Sequence, residues 1–308
     1  MDEREKSAEL MLLRLLNKRM RLDAPEHLHS LEKGFVGECH LDKWLNSVTS
    51  DCIILDDLWL QHKQSLFQVD TLIIFPEKIF ILDAKNYSGD YKVDGDYWST
   101  LRGHEIKNPL HQLQRCVTLL RQLLQSFGYT LPIESRLMFM NPEFMLYQAP
   151  PELPAVFTSQ LDRFLRTLNA STAPLSKSHH ALAAKLTSEQ LTTNPFALQQ
   201  SYSYDQLRKG VVCVRCVKGV MKREHNHFTC ASCGTNETVH QSIIRTINEF
   251  MQLFPDKKLT TQIVFEWCAQ QIGERSIRKF LTKNFIKKGS GTATYYEARD
   301  STDSANER

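Results

Sequence analysis

The chain has 308 residues, 42% of them apolar and 24% charged, and a formal net charge of +3. That composition excludes wholesale disorder and leaves room for two or three domains, one with a sizeable core. No apolar run is long enough to cross a bilayer, and the charge is too small to argue for nucleic acid in bulk, so any basic surface must be local.

The opening segment, MDEREKSAELMLLRLLNKR, starts acidic and has too short an apolar stretch for a signal peptide. An amphipathic helix is predicted over residues 8–20, with Leu10, Leu13 and Leu16 inward. A cytoplasmic, reducing setting is therefore expected, without disulfides. Residues 31–48 read as a helix with Leu31, Phe35, Leu41, Leu45 and Val48 as its stripe, and Glu38 lies on that stripe. A strand is predicted over 52–60, then two more within FQVDTLIIFPEKIFILDAK at 67–85, joined by a Pro-Glu-Lys turn. Tyr87-Ser88-Gly89-Asp90 marks a turn, and 91–98 suits one further strand. Asn108-Pro109 opens a helix to about residue 127, with Gln112 in its first turns. A strand is predicted over 134–140, extended Pro-rich chain over 148–155 and two helices within 159–191. Cys39, Cys52, Cys116 and Cys268 are scattered in apolar contexts and read as buried free thiols.

Asp70 interrupts one apolar strand, and Asp83 and Lys85 end the next. Side chains alternate along a strand, so Asp83 and Lys85 share a face with Ile79 and Ile81. Charges there are costly unless something uses them. A structural ion pair is one use. A divalent metal on Asp70 and Asp83, with Lys85 beside an attacked phosphate, is another. Mg²⁺, or Mn²⁺ in its place, suits such carboxylate ligands. Glu38 would reach that metal directly or through water, and Gln112 would position substrate or water.

The order helix, three strands, helix, strand matches an α/β restriction-endonuclease-like core. The motif D-x(12)-D-x-K belongs to the PD-(D/E)xK type of metal-dependent nuclease. Gly37-Glu38, Gln68-Val69-Asp70, Asp83-Ala84-Lys85-Asn86-Tyr87-Ser88-Gly89 and Asn108-Pro109 with Gln112 together resemble the nuclease-related domain (NERD) family over residues 31–127. That family usually carries Glu at the position of Asp83, where the wider superfamily also uses Asp. The resemblance implies a bacterial or plasmid-encoded protein linked to DNA processing. It implies Glu38, Asp70, Asp83, Lys85 and Gln112 as the catalytic set.

Cys213-Val-Arg-Cys216 and Cys230-Ala-Ser-Cys233 form two C-x-x-C knuckles thirteen residues apart. Four thiolates suit one tetrahedral Zn²⁺ with no open position, so the site should be structural. Gly219 and Gly234 would ease the knuckle turns. His225 and His227 are substitute ligands in principle, but suit the intervening hairpin with Lys222 and Arg223. The module is either a plain zinc staple or a nucleic-acid contact.

Three short helices and a hairpin turning at Gly289-Ser290-Gly291 resemble a small winged-helix unit. Its third helix carries Arg275, Arg278, Lys279 and Lys283 outward, with Lys287 and Lys288 on the hairpin. In a winged helix these would meet DNA, although a basic helix face is often only a solvated one.

The expected organisation is an N-terminal helix (1–25), a nuclease-related domain (26–147), a linker with helical extension (148–209), a zinc ribbon (210–240), a winged-helix-like unit (241–297) and a disordered tail (298–308). The leading function is Mg²⁺-dependent DNA hydrolysis, with RNA an open alternative substrate. A homodimer is expected if both strands of a duplex are cut. The rivals are a catalytically silent nucleic-acid binder and a zinc-stapled interaction adaptor.

Overall fold

The structure is a computed structural model that describes residues 4–191, 200–216 and 219–299. The chain divides into two compact units, residues 1–7 with 29–197, and residues 8–28 with 198–308. The expected disordered tail falls outside the described residues beyond Arg299. Among the described residues no helix is long and apolar enough to cross a membrane.

Helix α1 (Ala8–Arg19) belongs to the second unit, and α2 (Pro25–Leu45) enters the first unit from His29 onward. In the first unit, β1 (Ile53–His62), β2 (Ser65–Ile74) and β3 (Ile79–Lys85) form an antiparallel meander. From β3 the chain makes a small excursion through β4 (Gly89–Asp94), β5 (Tyr97–Thr100) and β6 (Glu105–Ile106). Helix α3 (Pro109–Ser126) then provides the crossover that a parallel strand requires, and β7 (Ile133–Phe139) pairs parallel to β3. Next, β8 (Phe144–Tyr147) joins the small sheet beside β4, and β9 (Ala155–Val156) extends the main one beside β7. Helices α4 (Leu161–Leu168) and α5 (Lys177–Ser188) end the unit. The main sheet runs β1-β2-β3-β7-β9 and the small one β6-β5-β4-β8.

Strands β2 and β3 are apolar on both faces because both faces are covered. Ile79 and Ile81 pack with Leu113, Leu120 and Leu124 of α3. Phe80 and Leu82 pack with Leu41 and Leu45 of α2. The helix predicted over 31–48 begins earlier, since Pro25 opens its first turn and permits an earlier start. The single strand expected over 91–98 is instead a hairpin, β4 and β5, folded at Gly95 with φ +58°. Cys116 and Cys268 are buried free thiols, but Cys39 and Cys52 are only partly covered, which corrects the reading of all four as buried.

The second unit contains a small antiparallel sheet, β10 (Lys222–Glu224), β11 (His227–Thr229) and β12 (Asn236–Thr238). Three helices follow, α6 (Val239–Leu253), α7 (Thr261–Trp267) and α8 (Glu274–Asn284). The hairpin β13 (Ile286–Lys288) and β14 (Tyr295–Glu297) closes the unit, and Leu259 bridges to Tyr296. Leu10, Leu13 and Leu16 of α1 are buried as predicted. At the end of α1 the wholly buried Arg19 side chain meets Glu249 at 2.5 Å and lies 4.0 Å over the Trp267 ring.

Candidate active site

Thr71 pairs with Leu82 across β2 and β3, so the next residues along, Asp70 and Asp83, face each other. Both share a side with Ile81 and Leu72, the side that α3 covers. Asp70, Asp83 and Gln112 line one small cavity with Gln68, Leu113 and Cys116. Lys85 Nζ lies 2.5 Å from Asp83 Oδ1. The ammonium and the buried carboxylate form a close ion pair. Burial, then the charge of Asp83, pushes the Asp70 carboxyl well above the ordinary carboxylate range. Burial opposes the charge on Lys85, but Asp83 and Asp70 more than offset it and raise its pKa.

Two carboxylates facing each other in one buried cavity, with a single ammonium beside them, repel each other when both are ionised. The donor set fits a hard divalent cation that takes carboxylate oxygens and keeps waters.

Glu38 approaches from α2 because Gly37 lets that helix sit close to the chain after β3. A Cβ on Gly37 would stand 2.9 Å from Asn86 Cβ. Asn86 Nδ2 also donates to the Lys33 carbonyl at 3.0 Å. The Glu38 carboxyl is pushed up mainly by burial and held back by Arg4 and, more weakly, Lys85. Gln112 reaches the cavity from α3, whose N-cap Asn108 accepts from the Leu110 N–H at 2.9 Å.

Sequence reasoning missed Arg4. Its buried guanidinium donates to both oxygens of Asp42, at 2.8 and 2.9 Å, and to Glu38 at 3.4 Å. It also lies 3.3 Å from Asp56. Burial works against its charge, but the Asp42 hydrogen bonds and the acids around it hold its pKa above the ordinary value. No local pattern marks it, since its partners are distant in sequence. Asp57 was missed as well. Its φ of +51° breaks the regular course of β1, and its carboxylate accepts from Gln68 at 2.7 Å.

In the second unit the four predicted cysteines come together. Each offers a sulfur within 4.8 Å of the others. The Cys213–Cys233 and Cys216–Cys230 sulfurs are 3.6 and 3.5 Å apart. A tetrahedral ion with Zn–S bonds of about 2.3 Å separates its sulfurs by about 3.8 Å, so the set fits such an ion. The thiols are also prepared for it. Cys213 Sγ accepts from the Arg215 and Cys216 N–H groups at 3.4 and 3.5 Å. The Thr235 hydroxyl, then its backbone N–H, brings the Cys233 thiol down to about 6. Gly234 closes the second knuckle at φ +69°, whereas Gly219 lies outside the left-handed region and its turn makes no such demand. His225 and His227 stand on the β10–β11 hairpin, outside the sulfur cluster. Arg275, Arg278, Lys279 and Lys283 share the exposed side of α8, opposite buried Ile277, Phe280 and Leu281. Lys287 and Lys288 are exposed on β13.

Residues 33–140 match the family model of the nuclease-related domain, NERD. The match contains every element that lines the carboxylate cavity. No curated protein and no solved structure matches the chain.

Proposed function

We propose that this chain is a divalent-metal-dependent nuclease that hydrolyses DNA phosphodiester bonds through the Asp70–Asp83 site, in keeping with its match to the nuclease-related domain at residues 33–140. The observation that carries the reading is the pair of carboxylates, Asp70 and Asp83, that face each other across β2 and β3 and line one cavity with Gln112. Asp70 and Asp83 would hold Mg²⁺ or Mn²⁺, which when bound supplies an acidified water and a Lewis acid at the phosphate. Lys85 holds positive charge where phosphoryl oxygens gain negative charge. Glu38 receives a proton or orders a water from the α2 side, because burial keeps its carboxyl above the ordinary range. Gln112 orients water or substrate from α3.

The second unit acts as the grip. Three helices, a hairpin and the Leu259 bridge support a winged-helix reading, with the basic side of α8 toward DNA and β13 on its backbone. The four cysteines hold a structural Zn²⁺ with no open position.

One observation favours a second reading. Lys85 at 2.5 Å from Asp83 neutralises that carboxylate without a metal, as in a protein that binds nucleic acid and leaves it intact. Incubating labelled linear and circular DNA with Mg²⁺ or Mn²⁺ separates the two. The nuclease reading expects metal-dependent cutting that falls by at least about a hundredfold in Asp83→Ala and Lys85→Ala. Intact DNA in every metal, or equal cutting by the variants, would sink it.

A further inference from the structure

Arg4 lies outside residues 33–140, the stretch that matches the nuclease-related domain, yet it packs in the first unit. Its side chain is 6% exposed and is held by three elements. From α2 it meets both oxygens of Asp42 and Oε2 of Glu38. From β1 it meets Asp56. On β2 it donates to the Thr71 hydroxyl at 3.3 Å and to the Asp70 carbonyl at 3.4 Å. We propose that Arg4 is a positioning residue of the metal site, fixing Glu38 against the strand that carries Asp70 so that Glu38 orders a water on the divalent cation. The inference rests on the metal-binding part of the proposed function and not on DNA cutting.

A guanidinium suits this place because its planar fork carries five donors in fixed directions and keeps its charge when buried. Nε and Nη2 grip the two Asp42 oxygens at 2.8 and 2.9 Å, a two-pronged geometry that orients as well as attracts. That grip leaves Nη1 for Glu38, 3.4 Å away. Glu38 and Asp42 stand one turn apart on α2, neighbours on one side of that helix. Asp42 therefore holds Arg4, and Arg4 holds Glu38. The guanidinium meets Glu38 through Oε2, so it does not take up Oε1. Lys6 fastens the same segment to α2 a second time, with Nζ 4.9 Å over the Phe35 ring.

A plain structural ion pair would end at Asp42, which already balances the charge. Arg4 instead gathers three carboxylates, Glu38, Asp42 and Asp56. It does so behind the metal site. Thr71 and Asp70 are consecutive on β2, so their side chains face opposite ways. Arg4 meets the Thr71 side chain and the Asp70 main chain, while the Asp70 carboxylate points into the cavity with Asp83 and Gln112. A cation placed on those two carboxylates would compete with the metal. One placed behind them steadies Glu38 and leaves the oxygens to the metal. Without Arg4, Glu38 would be repelled by Asp42 and Asp56. Its side chain is 25% exposed, so it would turn to water.

The test uses the full, zinc-loaded chain with Mn²⁺ alone as the probe, its free concentration followed by electron paramagnetic resonance. Arg4→Ala should weaken Mn²⁺ binding by about ten- to a hundredfold, as loss of a partner behind a metal site does. Arg4→Lys, which keeps the charge and loses the fork, should recover part of that loss. The deciding readout is the cycle with Glu38→Ala. In that background Arg4 has nothing to act through, so Arg4→Ala should weaken Mn²⁺ by less than about twofold. A merely structural role would give the same factor in both backgrounds. If Arg4→Ala shows no cooperative melting, Asp42→Asn, which loosens Arg4 in place, takes its position in the cycle with the same direction expected. Where DNA is cut, the loss should fall on kcat and leave KM for DNA unchanged, because the buried Arg4 side chain does not meet substrate. Unchanged or tighter Mn²⁺ binding in the variants, equal losses with and without Glu38, or no Mn²⁺ binding by the wild type would overturn the inference. If the cycle behaves as expected but no metal supports cutting, the positioning role stands and the nuclease fails. If the wild type cuts DNA while the Arg4 variants bind Mn²⁺ normally, the positioning role fails and the nuclease stands.

Discussion

Asp70 shows how one side chain can be read two ways. In sequence it is an acid in an apolar strand, which suggests either an ion pair or a metal ligand. In the structure its carboxyl is pushed well up by burial and by Asp83. The folded-state pKa therefore lies above the unfolded one. The native state binds that proton more tightly, so its stabilising contribution is complete below the ordinary carboxylate range and is lost as pH rises through the raised value. In a chelator, thermal stability should fall as pH rises from about 4 toward neutrality, and Asp70→Asn should raise the melting midpoint at neutral pH by a few degrees. Mg²⁺ should reverse the ranking, because it stabilises the ionised pair in the wild type only. A lower midpoint for Asp70→Asn in chelator would show the carboxylate to be a stabilising ion-pair partner. Asp70, Asp83, Lys85, Glu38 and Gln112 stand out in the sequence as candidates because each breaks an apolar pattern or falls in a spaced motif. Arg4 was not, because a buried cation held by Asp42, Glu38 and Asp56 is defined by tertiary packing alone.

Helices and strands set the positions these side chains occupy. α2 comes close to the end of β3 only because Gly37 lacks a Cβ that would meet Asn86 at 2.9 Å. Gly37→Ala should push the helix away, cost about 1–3 kcal/mol as overpacking does, and lower activity more than stability alone explains. Circular dichroism melts beside a cleavage assay would check this; a variant of unchanged stability and activity would contradict it. The apolar periods of α3, β2 and β3 were readable because both sides of the sheet are covered. The β4–β5 hairpin was harder, since its turn rests on a single glycine with positive φ. The two-residue β9 carries too little pattern to be read at all. In the second unit, the knuckle spacing alone gave the sulfur cluster. Protons and metal compete for those sulfurs. One zinc per chain is expected by elemental analysis, and Cys216→Ser should lose it. Retention of full zinc by that variant would remove Cys216 from the ligand set.

At the scale of the whole molecule, two units divide the work that the proposed function requires. The first contains the facing carboxylates, and the second the basic α8 and the sulfur cluster. In the proposed function both units would meet a polyanion, so their contributions should separate by salt. Arg278→Ala with Lys279→Ala should weaken duplex binding roughly uniformly across sequences. It should also reduce the salt slope by about 1.8, because each duplex phosphate that a side chain neutralises contributes about 0.9. An unchanged slope would leave α8 a solvated face. In the first unit, two facing carboxylates offer the oxygen ligands that a divalent cation takes. The most direct test is to titrate Mn²⁺ into zinc-loaded protein and follow the free ion by electron paramagnetic resonance, comparing wild type with Asp83→Asn. A saturable Mn²⁺ site is expected in the wild type and should be lost in the variant. Absence of Mn²⁺ binding, or equal binding by the variant, would contradict it.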